Sequence, residues 1–179
     1  MTEPCREPLG PRPEFGKGPV VDKRALYETL KGIVRRDLAT AVAAAKATKE
    51  GATHEENKPE NDKDTRAIEA SYLAGAQGER VRELEQTLAV LEALPSRALP
   101  PDAPVGAGAV VRLSTGRDEL VCLVALAGGG LKTTFEGASI QVVSTKSPLG
   151  SALVGAHVDD EVEVELGKTT RTYTVLSVE

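Results

Sequence analysis

Glu50-Gly-Ala-Thr-His-Glu-Glu-Asn-Lys-Pro-Glu-Asn-Asp-Lys-Asp64 is the stretch on which the reading of the fold turns. It holds six carboxylates (Glu50, Glu55, Glu56, Glu60, Asp62, Asp64) against Lys58 and Lys63, a local net charge of −4. On either side of it the apolar residues recur at helical spacing. The acidic stretch therefore reads as a loop between two helices.

The helix before it spans Lys23 to about Lys49, with Asp22 as its N-cap. Leu26, Leu30, Val34, Leu38, Val42 and Ala45 form an apolar stripe at steps of four and three. Alanines crowd its second half, where small side chains permit close approach of a partner. The helix after the loop spans about Asp64 to Leu94, and Pro95 ends it. Ala67, Ala70, Ala74, Gln77, Val81, Leu84, Leu88 and Leu91 alternate three and four apart, a heptad seam. Both seams are small near the acidic loop and large away from it. The two gradients match only in an antiparallel coiled-coil hairpin with the carboxylates at its tip. Helices of this length make a rod ~40–45 Å long, more than a small domain needs for its own core.

Outward from the hairpin, the chain changes character on both sides. Residues 1–21 are rich in proline and glycine and read as a tail that builds no helix. Residues 96–105 are a proline-rich linker. From Gly106 the period becomes two. Ala109–Leu113, Glu119–Leu126, Ser139–Val143, Asp160–Leu166 and Thr170–Val178 read as strands, with a hairpin turn at Ser114–Asp118 and a glycine loop at Gly128–Gly130. Ser147 starts a short helix with Pro148 in its first turn, and Gly155 ends it. The expected class is α+β: a helical hairpin (22–95), then a small antiparallel β domain with one short helix (106–179).

Composition removes several function classes. The chain has 179 residues, a net charge of −5 and a sequence pI near 5.2, which is poor for gripping phosphates. Aromatic residues make up only 3%, and Trp is absent, so stacking on exposed bases is not expected. Cys5 and Cys122 do not make a disulfide framework, and Cys122 sits in an apolar strand pattern as a buried thiol. No apolar run reaches the ~18 residues of a membrane span, and the N-terminus lacks a signal-peptide core. The expected location is the cytoplasm. His54 and His157 have no Cys or His at ligand spacing, and Gly128–Gly130 is followed by no Lys-Ser/Thr pair, so neither a metal centre nor a phosphate loop is expected.

Val143-Ser-Thr-Lys-Ser-Pro-Leu-Gly-Ser-Ala-Leu-Val-Gly-Ala-His-Val-Asp-Asp-Glu-Val-Glu-Val164 resembles the strand, Ser-Pro helix, turn and strand of the bacterial Gre transcript-cleavage factors. Arg171–Glu179 is similar to that family's last strand, and Arg80–Leu88 to the base of its second helix. The resemblance covers about Lys23 to Glu179. It implies an FKBP-like C-terminal domain that docks at the rim of the RNA polymerase secondary channel, with Ser147, Pro148 and Leu149 near the contact. It also implies that the hairpin passes down the channel. There the tip would help hold the second catalytic Mg²⁺, shared with the polymerase and not bound tightly by the free protein, so that a water cleaves backtracked RNA. Mg²⁺ favours carboxylate oxygen and water, and a second metal positions the attacking water.

The tip departs from the family. An ungapped placement of the helices sets Glu60 at the family's Asp and Lys63 at its Glu; Asp62 or Asp64 serves if the loop shifts by one residue. Glu60, Asp62 and Asp64 are the first candidates for metal positioning, and Glu55 and Glu56 the second. The family's acidic or amide residue before Ser-Pro is Lys146 here. The expected protein is an accessory factor and not itself an enzyme. It would be a monomer with RNA polymerase as partner, binding neither a specific nucleic-acid sequence nor a membrane. Three other readings stand beside it: a channel-binding homologue that inhibits without cleavage, a coiled-coil adaptor, and a prolyl isomerase. The isomerase would need an aromatic-lined pocket, for which the domain offers only Phe135 and Tyr173.

Overall fold

The computed structural model describes residues 21–53, 65–100, 102–167 and 169–179. Two long helices open the chain, α1 (Lys23–Thr53) and α2 (Thr65–Ala93). A six-stranded sheet follows: β1 (Val110–Ser114), β2 (Glu119–Ala125), β3 (Lys132–Phe135), β4 (Ala138–Ser144), β5 (Glu161–Leu166) and β6 (Thr169–Val178). The short helix α3 (Pro148–Leu153) lies between β4 and β5. The α+β class expected from the sequence is the class observed.

The helices pair antiparallel. Arg35 in the first half of α1 meets Glu92 at the end of α2 at 3.0 Å. Leu26, Leu30 and Val34 of α1 are buried with Leu84 and Leu91 of α2. Beyond Leu38 the seam differs from the expected stripe. Val42 is 47% exposed, while Ala41 is partly buried against the core. The reason is geometric. At ~100° per residue, each step of four overshoots a full turn by about 40°, and a run of such steps leaves the contact face. A step of three, from Leu38 to Ala41, restores it.

The sheet is mixed, not purely antiparallel as expected. Its order is β3-β4-β2-β1-β6-β5, and β2 pairs parallel with β4, Val121 opposite Ile140 and Ala125 opposite Ser144. The cause is β3, a strand absent from the sequence reading. The chain leaves β2, crosses to the sheet edge as β3, and reverses through Glu136-Gly137 to run as β4 beside β2. Both turn residues have positive φ, 50° and 81°. That is the two-residue hairpin geometry usually signalled by Asn-Gly or Asp-Gly. Glu-Gly gives a weaker signal, and Lys-Thr-Thr-Phe lacks an apolar alternation.

Both sheet faces are covered, and β2 records this directly. Cys122 and Val124 join one core with Val111, Leu113, Leu153 and Val175. Val121, Leu123 and Ala125 join the other, with Leu26, Leu30 and Leu91 of the hairpin. Alternate residues of one strand thus serve two cores, which explains the near-continuous apolar run. The helix α3 covers the first face and the hairpin base covers the second. The proline-rich segment also packs: Val105 is buried in the first core, its N–H donates to Ala156 O, and its carbonyl accepts from Gly155 N. No helix among the described residues is long and apolar enough to cross a membrane.

Burial pushes the Cys122 thiol up from 9.0 to about 12. A raised acid in the folded state contributes stability that is complete below pH 9 and lost as pH rises to about 12. In a Cys5→Ser background, Cys122 should resist a thiol reagent until the chain unfolds. Urea titrations between pH 9 and 11 should show a decline in stability, of up to about 1.4 kcal/mol per pH unit from this group. Cys122→Ala should lessen that decline.

Candidate functional site

The expected docking residues lie at the start of α3. Ser147 is the N-cap: its Oγ accepts from Gly150 N at 3.1 Å and donates to Ser144 O at 2.7 Å. That carbonyl also accepts from Ser147 N at 2.9 Å. The hydroxyl therefore satisfies an orphan donor of the helix and anchors it to the end of β4. Pro148, at the first turn where its missing N–H costs nothing, is exposed. Leu149 is partly buried against the first core. Ser147 and Pro148 are thus brought to the surface together, and Leu149 ties them to the interior.

The close approach of α3 to β4 has its own requirement. A Cβ at Gly150 would collide with Ser144 O. The glycine loop after β2 abuts the same residue, since a Cβ at Gly129 would stand 3.1 Å from that of Ser144. Thr145 N donates to Ala125 O, which brings the loops after β2 and β4 side by side. Leu126, beside that junction, is 58% exposed. The surface around Pro148 is therefore formed by two abutting loops and a capped helix end, with Lys146 exposed next to it.

The same glycine loop touches the hairpin. A Cβ at Gly128 would come within 2.7 Å of Thr87 Cγ2 on α2. At the other side of the hairpin base, Tyr27 of α1 is buried, and its hydroxyl donates to Gly108 O at 2.9 Å, with Pro95 O at 3.2 Å as second acceptor. Burial pushes this phenol up to about 12. Val21 N donates to Glu179 Oε2 at 2.8 Å, so the first described residue binds the last. Lys23 is buried there too. Its ammonium has no hydrogen-bond partner among the described residues, and burial lowers its pKa, while the Glu179 carboxylate opposes that shift. Tyr27, Thr87, Lys23 and Glu179 were not singled out in the sequence. Tyr27 stands one residue beyond Leu26 in the apolar stripe, which was the available signal.

The acidic tip candidates Glu55, Glu56, Glu60, Asp62 and Asp64 lie outside the described residues. Among the described residues no group of three or more His, Cys, Asp or Glu side chains could hold a metal ion. The two aromatic residues an isomerase pocket would need are separated by the sheet. Tyr173 is buried in the first core, and Phe135 packs against the second.

Residues 100–179 match the family model described as "Transcription elongation factor, GreA/GreB, C-term". Over that segment the chain is similar to the GreA/GreB C-terminal domain. Three solved structures are also similar. GreA factor homolog 1 (Gfh1) of Thermus thermophilus aligns at 21% identity over 86% of this chain and 94% of its own, with a TM-score of 0.34. Gfh1 of Thermus aquaticus aligns at 19% identity over 83% and 92%, also at 0.34. A GreA/GreB elongation factor of Nitrosomonas europaea aligns at 22% identity over 56% and 89%, again at 0.34. A search of curated proteins found no match.

Within the GreA/GreB domain, two substitutions separate capping from packing. Ser147→Ala should lower stability by about 1 kcal/mol through loss of the cap. Gly150→Ala should cost more, about 1–3 kcal/mol, because backbone must move. Urea titration of the full chain measures both, and a Gly150→Ala chain as stable as wild type would contradict the close approach described.

Proposed function

We propose that the chain is a transcription elongation factor that binds RNA polymerase through its GreA/GreB domain and inserts its helical hairpin into the secondary channel. There the acidic tip stimulates cleavage of backtracked RNA by the polymerase. The observation that carries the reading is the match of residues 100–179 to the GreA/GreB C-terminal domain, joined to a long antiparallel hairpin. The α1 helix of 31 residues is about 46 Å long, enough to carry carboxylates from an outer surface to an enclosed site. Docking is assigned to the exposed surface around Ser147 and Pro148, with Leu126 beside it. Val42, Tyr72 and Leu73, all exposed along the rod, offer apolar contacts to a channel wall.

The chemistry asked of the tip is modest. Carboxylates gathered in one loop disfavour one another's ionisation, and ordering such a loop has an entropic cost. The free protein would therefore hold Mg²⁺ weakly, and the site would be completed beside the polymerase's own metal. Glu60 with Asp62 or Asp64 is the preferred set, and Glu55 and Glu56 the reserve. One observation favours a second reading, in which the chain occupies the channel and inhibits synthesis without cleavage. Lys63 falls where the family has its second carboxylate, and a cation there opposes metal binding.

A cleavage assay on a backtracked elongation complex decides between the two. In the leading reading, wild type shortens the RNA, and Glu60→Ala or an Asp62→Ala/Asp64→Ala pair abolishes cleavage without loss of binding. In the second, wild type binds, gives no cleavage and slows synthesis. Pro148→Ala and Ser147→Asp should weaken binding in either case. Tight binding with neither cleavage nor any change of elongation rate would sink both readings.

A further inference from the structure

The hairpin base is seated on the GreA/GreB domain by contacts that depend on close backbone approach at two separate points. On the α1 side, the Tyr27 hydroxyl bridges the carbonyls of Gly108 and Pro95, one on each side of the segment joining hairpin to sheet. Gly108 has φ +88°, and a Cβ there would press on the Pro95 ring at 3.1 Å. On the α2 side, Gly128 has φ +79° and leaves no room for a Cβ against Thr87. Between these points lies apolar contact between Leu26, Leu30 and Leu91 and the sheet residues Val110, Leu123 and Ile140. Two tight contacts on opposite helices, with a greasy seat between them, restrain the direction of the rod as well as its attachment. Gly128 also belongs to the loop that abuts Ser144, which anchors the docking helix. The α2 contact is therefore continuous with the docking surface.

We infer that Tyr27 and Gly128 are positioning residues that fix the angle of the hairpin on the GreA/GreB domain and thereby the place its acidic tip reaches. This rests on the polymerase reading for its functional consequence and on the geometry alone for the fixed angle. The lever is long. With a rod of about 46 Å, a tilt of about 10° at the base moves the tip by about 8 Å. Metal-assisted cleavage does not tolerate displacements of that size, since misplacement by about 1 Å can lower a rate ~100-fold. The base contacts are thus placed to govern activity from the far end of the molecule, while leaving docking intact.

The test uses the full chain with Cys5→Ser and nitroxides on Val42→Cys and Lys132→Cys, both exposed positions on opposite sides of the joint. Cys122 is buried and stays unlabelled. Pulsed dipolar spectroscopy should give one narrow distance distribution. Tyr27→Phe, which keeps the ring and removes the hydroxyl, should at least double its width or shift its centre. Gly128→Ala should shift the centre by displacing Thr87; if that variant fails to fold, Tyr27→Phe decides. With polymerase, Tyr27→Phe should bind within threefold of wild type yet lose at least tenfold in RNA cleavage, or in inhibition if that is the activity seen. An unchanged distance distribution in the folded variants would overturn the inference. Activity that falls only in step with binding would overturn the positioning role. If wild type fails to bind polymerase, the functional reading falls, and the distances alone decide the joint.

Discussion

The structure depends on one apolar seat. The base of a helical hairpin covers one face of a mixed sheet whose other face is already covered by α3. The central strand β2 is buried on both sides as a result, and neither core is complete without its covering helix. Burial of Leu26, Leu30, Val34 and Leu91, each with no exposed surface, supplies the non-directional part of that attachment. Direction comes from polar and steric detail: the Tyr27 hydroxyl, the Thr87–Gly128 contact, and Val21 N on the Glu179 carboxylate. An exposed ion pair such as Arg35–Glu92 adds little by comparison.

This arrangement separates two parts of the molecule. The surface around Ser147 and Pro148 belongs to the sheet and is rigid because a capped helix turn is held on Ser144. The long helices α1 and α2 belong to the hairpin. The seat joins the two parts through apolar packing and the Tyr27 and Thr87 contacts. The proline-rich segment fits the same description, since Val105 is bonded into the sheet domain on both its N–H and its carbonyl.

Much of this was legible in the sequence, for identifiable reasons. The antiparallel hairpin followed from two independent size gradients that agreed, and the short helix from Ser147, Pro148 and Gly155, each of which has a specific role in starting or ending a helix. Both rest on local chemistry. What was not legible depends on pieces distant in sequence. The strand β3 has too short and too polar a pattern to announce itself, and without it the parallel pairing of β2 and β4 cannot be foreseen. Val42 was assigned to the seam because steps of four look regular, although contact geometry requires a step of three. Tyr27, Thr87 and Gly128 carry no motif. Their meaning appears only when the hairpin lies against the sheet, where a hydroxyl meets two carbonyls and a glycine meets a threonine. The expected docking residues came from a family pattern and the candidate acids from their charge, and those acids lie outside the described residues.

The proposed function requires the acidic stretch to reach the catalytic metal of RNA polymerase while residues 100–179 are docked outside. The most direct measurement is site-specific photo-crosslinking from position 60, with a photoreactive residue in place of Glu60, in the complex with a backtracked elongation complex. If the proposed function holds, crosslinks form to the 3′ segment of the RNA and to polymerase residues around the catalytic metal. They should be lost when Pro148→Ala and Ser147→Asp weaken docking. Crosslinks confined to the outer surface of the polymerase, in a complex that still depends on the GreA/GreB domain, would contradict it.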